Sequence, residues 1–346
     1  ADIRFHVDWH IGKDEPKFNQ ASSSLVIGKR FSGKSTVVEA LATKYINEGG
    51  TVFDIFSARD SESLAWLRSP YKDALLICGD TVKLKTDYPW VRISDFNLKE
   101  AEEHELVLTA PAFYSTDSEM YASLSKLVDQ LKWRTVWNKI DVLLVREARR
   151  LLTSRIMSGR VKTALQAEYD FIELHDEAYH TGVACLLDSL RPFSIDISVR
   201  DITNYIYIKK VGKMQIPREL WYIMRKIQPS FFRHMRVQDF ILLTDSNAVA
   251  TGYLDEVPWH VQRGEDLLSK LRIEVEKNIA KAQGLEVKPD KREKVSDEIH
   301  KKIILLKEAG MSYSNIRNSE ELRGVNIVTT TVGDHIKSHE AKRCNC

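Results

Sequence analysis

Long apolar runs and cysteine are both scarce in this sequence of 346 residues. No run of about eighteen or more consecutive apolar residues occurs, so no membrane-spanning helix is expected. The first residues lack a basic segment followed by an apolar one, so we expect no secretory signal peptide and a cytoplasmic protein. Four cysteines exclude a disulfide scaffold, and Cys78 and Cys185, which lie in apolar segments, are predicted to be buried free thiols.

An excess of one charge is also missing. The 51 Lys and Arg residues nearly balance the 49 Asp and Glu residues, so the net charge is only +2. This balance excludes a uniformly basic surface, and any binding of nucleic acid must therefore use local basic patches. The length favours one large and one small globular domain.

Short apolar runs alternate with helical patterns over about the first 210 residues. The runs typical of buried strands lie at 22–28, 51–56, 73–79, 105–111, 141–145, 182–189 and 204–210. Helical patterns lie between them, from Lys34 to the glycines at 49–50, at 117–137 and at 160–181. Strands that alternate with helices favour parallel pairing with crossover connections. The sequence therefore predicts a doubly wound α/β core.

The last third of the chain has a different pattern. A charged helix is predicted at about 263–283, followed by a polar, Gly- and Pro-containing linker to residue 295. Three helical segments then follow, and their turns and spacing favour a small helix-turn-helix-like domain. The predicted organisation is an ATPase-type core at 1–262, a charged helix and linker at 263–295, and a helical domain at 296–346.

The strongest motif is the run from Gly28 to Thr36, which reads G-x-x-x-x-G-K-S-T between a predicted strand and a predicted helix. Glycines let the backbone curl so that its amides face phosphate oxygens, and the helix adds its positive end. A lysine then reaches the β- and γ-phosphates, and a hydroxyl contacts Mg²⁺. We predict that ATP and Mg²⁺ bind here, with these nucleotide-binding residues: Gly28, Lys29, Phe31, Ser32, Gly33, Lys34, Ser35 (also the Mg²⁺ ligand) and Thr36.

A P-loop ATPase also needs carboxylates at the end of a nearby strand, usually Asp-Glu. Here the strand at 141–145 is followed by Arg146 and Glu147. Glu147 has the position of the base that activates water, whereas Arg146 takes the position of the metal-side Asp. Two interpretations follow. Either Arg146 pairs with a phosphate, or another acid replaces the metal-side Asp, and Asp54 is the candidate for that metal ligand. Asp176-Glu177 is a rival acidic pair, but it lies within a helical pattern.

The order of these segments, with HTGVACLLDSLRPFSIDISVRD (180–201) after the acidic strand, resembles the HerA/FtsK superfamily of P-loop DNA-translocating ATPases. Gly182, Ser189 and the Arg-Pro pair at 191–192 carry the resemblance. The family's usual Gln before Arg-Pro is Leu190 here, so Ser189, or Asp188, is left as the polar sensor of the γ-phosphate. With Arg146, this marks a divergent member.

The resemblance implies a RecA-like P-loop core with a parallel-rich central sheet flanked by helices. It also implies a hexameric ring that encloses DNA, with ATP sites completed by an arginine from the next subunit. Members pump DNA in cell division, conjugation, end processing and viral packaging, which includes the cytoplasm of virus- or plasmid-infected cells. Candidates for the arginine acting across the subunit border are Arg149, Arg150, Arg155 and Arg160.

The leading hypothesis is thus an ATP-dependent translocase of DNA, expected to be double-stranded, in which Lys34, Glu147 and Ser189 are catalytic. If the C-terminal domain enters a DNA groove, its candidate contacts are Thr330, Thr331, His335 and Lys337. The alternative is a nucleotide-switched, sequence-specific DNA-binding regulator with slow or no turnover, because Arg146 displaces the metal-side acid. A small-molecule kinase is disfavoured because no acceptor site is evident.

Overall fold

A computed structural model shows two compact units, residues 1–276 and 277–346, which are described separately. The structure describes residues 5–8, 16–57, 60–134, 137–148, 151–152, 162–190, 195, 197–211, 231, 234–246, 248–255, 257, 259, 272–275, 297–309, 311–312 and 315–316. Every structural statement below concerns these residues.

A mixed sheet of eleven strands forms the centre of the first unit. Two further described strands, β5 and β13, form a separate small sheet. In chain order the thirteen described strands are β1 (Phe5–Asp8), β2 (Ser23–Ile27), β3 (Val52–Phe56), β4 (Ala74–Cys78), β5 (Val82–Lys85), β6 (Trp90–Arg92), β7 (Leu106–Leu108), β8 (Asp141–Val145), β9 (Val183–Ser189), β10 (Tyr205–Ile208), β11 (Asp239–Thr244), β12 (Val249–Leu254) and β13 (Arg272–Val275). The order across the sheet is β1-β12-β11-β10-β2-β9-β8-β3-β7-β4-β6. From β10 to β6 the pairing is parallel, and at the β1 edge it is antiparallel.

Helices connect the parallel strands. They are α1 (Lys34–Asn47), α2 (Asp60–Ser63), α3 (Leu98–Ala101), α4 (Asp117–Lys132), α5 (Lys162–Asp176), α6 (Ala178–Thr181) and α7 (Ile197–Asp201), with 3-10 turns at Leu64–Arg68 and Pro111–Phe113. The helix α4 begins at Thr116, whose hydroxyl accepts a hydrogen bond from the Glu119 amide and so satisfies a free donor of the first turn. No described helix has the length and apolar character needed to cross a lipid bilayer.

The central strands are buried on both faces, because successive side chains of a strand point to opposite sides of the sheet. On β8, Val142 and Leu144 join one apolar cluster, whereas Leu143 and Val145 join the other. The first cluster includes the apolar face of α1, and the second includes those of α4 and α5. Helices on both faces of a parallel sheet therefore enclose two cores.

This arrangement confirms the predicted α/β, RecA-like P-loop fold. The strand β2, which precedes the phosphate loop, is separated from β8 by β9. The apolar runs expected at 22–28, 51–56, 141–145 and 182–189 are strands, within one or two residues at their ends. Cys78 and Cys185 are buried free thiols as predicted, and burial raises the pKa of each to about 12.

The helix predicted at 263–283 is wrong where the structure describes that segment. Residues Arg272–Val275 form β13, which pairs antiparallel with β5 as a separate two-stranded sheet. The register places Ile273 opposite Leu84 and Val275 opposite Val82. Apolar and charged residues alternate in both segments, and this period of two is typical of a strand. The first compact unit accordingly continues to residue 276, beyond the boundary predicted at 262.

In the second unit the helix expected at 297–310 is present as α8 (Asp297–Glu308). Ile303, on its apolar face, is fully buried. The other two helical segments predicted for this domain lie almost wholly outside the described residues, of which 315–316 are helical.

Asp141 provides a test of the packing around β8. It is fully buried, and its carboxylate accepts hydrogen bonds from the Thr51 amide (2.7 Å) and the Arg134 guanidinium. We expect Asp141→Ala to lower the free energy of unfolding by about 3 kcal/mol, because the buried Arg134 guanidinium loses its nearest counter-charge and keeps only Glu102 (3.3 Å), and the Thr51 amide loses its acceptor. Urea denaturation followed by circular dichroism measures this.

Glu173→Ala is the matched control, because Glu173 forms a surface ion pair with Lys132. Solvent screens that pair, so its loss leaves the free energy of unfolding nearly unchanged. Equal effects of the two substitutions would contradict the structural role given to Asp141.

Candidate functional site

The phosphate loop joins β2 to α1 at the carboxyl edge of the sheet. The Gly28 amide donates to the Ser189 carbonyl (3.3 Å), and the Lys29 amide donates to the Lys210 carbonyl (2.9 Å). The loop is thus tied to both strands that flank β2, namely β9 and β10. Because the carboxyl edge of a parallel sheet is the usual place for ligands, this position fits the predicted nucleotide site.

Both glycines of the motif are required by the local geometry. Gly33 has φ +83°, a left-handed conformation, and a Cβ there would lie 2.8 Å from the Val237 carbonyl oxygen. A Cβ on Gly28 would lie 2.6 Å from the Ser32 hydroxyl and 2.7 Å from the Lys209 Cβ. The loop is therefore closely backed by other residues and has no room for side chains at these two positions.

The polar groups of the loop suit an anion. Lys34 is buried, with its Nζ 3.5 Å from the Lys29 carbonyl oxygen. The Ser32 hydroxyl is buried and has no hydrogen-bond partner among the described residues, which is the state expected of a group kept for a ligand. Ser35 and Thr36 are half-buried in the first turn of α1, whose free amides face the loop. The exposed Phe31 has φ 62°, also left-handed.

Glu147 follows β8 and is held in a strained turn. Its φ of 52° is unusual for a residue with a side chain, and such strain persists only where neighbours enforce it. The neighbour is Asp188 on β9, whose carboxylate accepts a hydrogen bond from the Glu147 amide (2.6 Å). Glu147 is half-buried, so the residue remains partly accessible to solvent.

Arg146 follows β8 at the position of the metal-side Asp, but its guanidinium is hydrogen-bonded to two buried acids. Its Nε and Nη2 donate to Asp54 Oδ2 (2.8 and 2.6 Å), and its Nη1 donates to Glu39 Oε1 (2.8 Å). All three side chains are at most 1% exposed. Of the two interpretations from the sequence, pairing with a phosphate is therefore not what this structure shows.

The ion pairs also settle the position of Asp54. Asp54 lies in the middle of β3 and is fully buried, and its Oδ2 accepts hydrogen bonds from Arg146 and from the Trp66 indole (2.9 Å). Burial raises the pKa of Asp54, and Arg146 opposes that rise. Burial disfavours the charge on Arg146, but Asp54 and Glu39 outweigh it and hold the pKa of the guanidinium above its ordinary value. Asp54 is thus part of a buried ion cluster through its Oδ2, and its role as a metal ligand stays a prediction.

The carboxylate of Glu62, in α2, is close enough to these charged groups for them to shift its pKa. Its pKa is raised to about 6, mainly by burial and also by the negative charges of Asp188, Asp54 and Glu147, while the positive charge of Arg146 opposes the rise. Five acidic residues and one arginine therefore lie close together where α1, β3, β8 and β9 meet. They are Glu39, Asp54, Glu62, Glu147, Asp188 and Arg146.

The fit to Mg²⁺ rests on the Ser35 hydroxyl. Within the described segments, no three His, Cys, Asp or Glu side chains are arranged to hold a metal ion. Mg²⁺ in nucleotide sites keeps several waters and takes further oxygens from the phosphates, so a single protein hydroxyl is compatible with it. The ion would supply positive charge to the phosphates.

Several predicted site residues cannot be placed. Arg149, Arg150, Arg155 and Arg160, proposed to act across a subunit border, lie outside the described residues. So do Thr330, Thr331, His335 and Lys337, the predicted DNA contacts. Ser189, the predicted sensor, is fully buried at the end of β9 beside Gly28. The rival pair Asp176-Glu177 is exposed at the end of α5, so it takes no part in this site.

Sequence reasoning missed Glu39 and Lys209, and left Asp188 as a second choice. Glu39 follows the motif by one helical turn on α1, and its acidity on an otherwise apolar face was the available signal. Asp188 was visible as the acid beside Ser189, but its bond to the Glu147 amide depends on the pairing of β8 with β9.

No protein-family model matches the chain, and no curated protein matches it. Solved structures are similar at low identity. One is the genome packaging NTPase B204 from Sulfolobus turreted icosahedral virus 2 in complex with ATP-gammaS, 14% identical, TM-score 0.39, covering 67% of this chain and 96% of that chain. Another is the pCW3 conjugation coupling protein TcpA in its monomer form with ATPgS, 12% identical, TM-score 0.43, covering 78% and 70%.

A third is Thermomonospora curvata EccC (ATPases 2 and 3), 11% identical, TM-score 0.37, covering 69% of this chain and 37% of that chain. At these identities and TM-scores the likeness carries no functional conclusion, and the fold assignment rests on the strand order and phosphate loop of this chain.

The ion cluster generates a stability prediction. We expect Arg146→Met to lower the free energy of unfolding by about 3–5 kcal/mol at pH 7, because it leaves Asp54 and Glu39 buried without a counter-charge. The deficit shrinks as the pH falls, since protonation removes the unpaired charges. Thermal and urea unfolding over about pH 5 to 8 measure both effects.

The rescue variant is Arg146→Met combined with Asp54→Asn and Glu39→Gln, which removes the buried cation and both buried acids, so that no unpaired charge of the cluster remains. It is expected to be more stable than Arg146→Met alone. If the single substitution costs nothing, or if the combined variant is less stable than it, the ion cluster is not what stabilises this edge.

Proposed function

We propose that the chain is an ATP-hydrolysing motor of the P-loop class that acts on DNA. The observation that carries the ATPase part is the convergence of three groups at one sheet edge. The phosphate loop follows β2, Asp188 and Ser189 end the adjacent β9, and Glu147 follows the next strand, β8.

The nucleotide would bind through its phosphates. The curled backbone from Gly28 to Gly33 and the first turn of α1 offer amide donors, and Ser32 offers a buried hydroxyl without a described partner. Lys34 adds a positive charge that neutralises the β- and γ-phosphates, and Ser35 would hold Mg²⁺ through its hydroxyl. The residues named for ATP and Mg²⁺ in the sequence analysis are retained in this proposal.

Hydrolysis requires a base that orients a water molecule toward the γ-phosphate. Glu147 is the best-supported candidate, because its turn is fixed by Asp188 while its carboxylate stays accessible. Ser189, whose carbonyl holds Gly28, is suited to report the state of the γ-phosphate to β9. In the step itself, the attacking water would lose a proton to Glu147 as its oxygen bonds to the γ-phosphorus and ADP leaves.

The DNA part of the proposal is supported by the order of the sequence segments, which resembles that of HerA/FtsK translocases. The segment directly after Glu147 is rich in arginine. Because this positively charged segment directly follows the catalytic base, it would connect hydrolysis to a subunit border or to a DNA backbone. We propose a ring, hexameric in the related family, that acts on double-stranded DNA, with the helix-turn-helix-like domain as a further DNA contact.

A second candidate is a nucleotide-switched, sequence-specific DNA-binding regulator. The observation that favours it is Arg146, since the position next to the base carries a buried cation instead of a metal-side acid. Slow turnover would then make the bound nucleotide a long-lived switch. Binding of one DNA sequence in preference to others by the full chain would support this candidate.

ATP turnover with and without long double-stranded DNA tests the proposed function. We expect DNA to raise turnover several-fold, Lys34→Ala to abolish nucleotide binding, and Glu147→Gln to abolish turnover while ATP still binds. Phosphate release measures turnover, with and without DNA and in Glu147→Gln, and fluorescence titration with a labelled ATP measures nucleotide binding. Tight ATP binding with turnover near zero, unchanged by Glu147→Gln, would favour the regulator.

Asp188 gives a sharper test of how the base is positioned. We expect Asp188→Ala to lower kcat by about 10–100-fold, the effect of losing a hydrogen bond to a charged group, because the Glu147 turn loses its acceptor. The affinity for ATP should change little, since the phosphate loop is intact.

Asp176→Ala is the matched control, as it removes an exposed carboxylate of the same type from the rival pair. It should leave kcat unchanged. A kcat that falls for Asp176→Ala, or that is unaffected by Asp188→Ala, would contradict the assignment of this edge as the site of hydrolysis.

A further inference from the structure

A lysine that the motif does not include lies directly behind the phosphate loop. Lys209 follows β10, the strand next to β2, and it is fully buried. Its amide donates to the Ile27 carbonyl (2.8 Å), the last residue before the loop. The residue is therefore fixed beside the start of the loop by its backbone.

The Lys209 side chain extends behind the loop from its first glycine toward its last. A Cβ on Gly28 would lie 2.7 Å from the Lys209 Cβ, and a Cβ on Gly33 would lie 3.6 Å from its Cε. The ammonium donates a hydrogen bond to the Val237 carbonyl oxygen (2.5 Å), the same oxygen that a Gly33 Cβ would meet. The side chain thus runs along the back of the loop, and its ammonium is bonded to the carbonyl oxygen that lies against Gly33.

This ammonium is poorly compensated inside the described part of the chain. No described carboxylate lies within ion-pair distance of it, and the Val237 carbonyl is the one acceptor found there for its three donors. Asp239 on β11 acts on it from further away and is itself paired with Arg236. Other charged side chains on the described segments around it are the cations Lys29, Lys34, Lys210 and Arg236, and Glu39 of α1, which is paired with Arg146. A buried cation without a counter-ion is costly, and next to this loop the missing counter-ion is an anion of the ligand.

We propose that Lys209 is a second lysine of the phosphate site, a positioning residue whose ammonium backs the loop and takes up a proton when a nucleoside di- or triphosphate binds. The inference rests on the proposed function, because it assumes that nucleotide binds at Gly28–Thr36. It adds a residue outside the motif and a linkage between nucleotide affinity and pH.

The direction of the linkage follows from burial. Burial lowers the pKa of Lys209 to about 7, against a small opposing effect of Asp239, so the free chain carries this charge only in part at neutral pH. Phosphate anions favour the charged form, and binding then draws in a proton. If the bound form stays protonated, the affinity at pH 8.5 is about 15-fold weaker than at pH 7, for a free-chain pKa of about 7.

The experiment measures ADP binding to the full chain by titration calorimetry between pH 7 and 8.5, in two buffers with different ionisation enthalpies, so that proton uptake is counted directly. The wild-type chain is expected to take up a proton fraction that grows with pH and to lose affinity as calculated. Lys209→Met should bind ADP about as weakly at pH 7 as the wild-type chain does at pH 8.5, with no proton uptake. Lys44→Met, which alters a half-buried lysine in the last turn of α1, away from the loop, should behave as the wild-type chain.

A second measurement needs no nucleotide. Because the folded-state pKa of Lys209 is below that of an unfolded lysine, the unfolded chain binds more protons between pH 7 and 8.5, and stability rises with pH. The free energy of unfolding of the wild-type chain, relative to Lys209→Met, should therefore increase over this range. A merely structural lysine that stays charged would show no such difference.

The outcomes separate the two proposals. If the wild-type chain binds no nucleotide that Lys34→Ala removes, the proposed function fails, and the unfolding measurement still tests Lys209. If ADP binds but its affinity and proton uptake do not change with pH, or if Lys209→Met follows the wild-type chain, the inference about Lys209 is overturned and the proposed function stands.

Discussion

The buried ion cluster of Arg146 with Asp54 and Glu39 is the interaction on which the site depends. It joins the end of β8 to β3 and to α1, the helix that begins at the phosphate loop. An isolated buried charge is strongly unfavourable. Here the burial of three charged groups is tolerated because both acids accept hydrogen bonds from the Arg146 guanidinium. The cluster therefore fixes the strand end from which Glu147 turns, and it relates that turn to α1.

Topology then brings the other groups together. Because β9 lies between β2 and β8, its last residues are adjacent to the loop on one side and to Glu147 on the other. Ser189 holds the Gly28 amide through its carbonyl, and Asp188 holds the Glu147 amide through its carboxylate. On the far side of β2, Lys209 backs the same loop from β10. The strands on both sides of β2 thus present polar groups to a loop that sequence reasoning treats by itself.

The sequence predicted what depends on local pattern. The phosphate loop, the apolar strands and the apolar face of α4 follow from residue type and period, and each is present in the structure. It did not predict contacts that depend on strand order. Arg146 was read as a defect in a metal site because its partners, Asp54 and Glu39, are distant in the chain. Lys209 belongs to no sequence motif. The segment of β13 was predicted as helix because it lies in a highly charged stretch and its alternation of charged and apolar residues covers only four positions.

The most direct test of this account is an experimental structure of the full chain with Mg²⁺ and a non-hydrolysable ATP analogue. The account predicts that the phosphates contact the amides and Lys34 of the loop, that Glu147 faces the γ-phosphate across one water molecule, and that Arg146 remains bound to Asp54 and Glu39. An Arg146 guanidinium that leaves those acids to contact the γ-phosphate, or a nucleotide bound away from the loop, would contradict it.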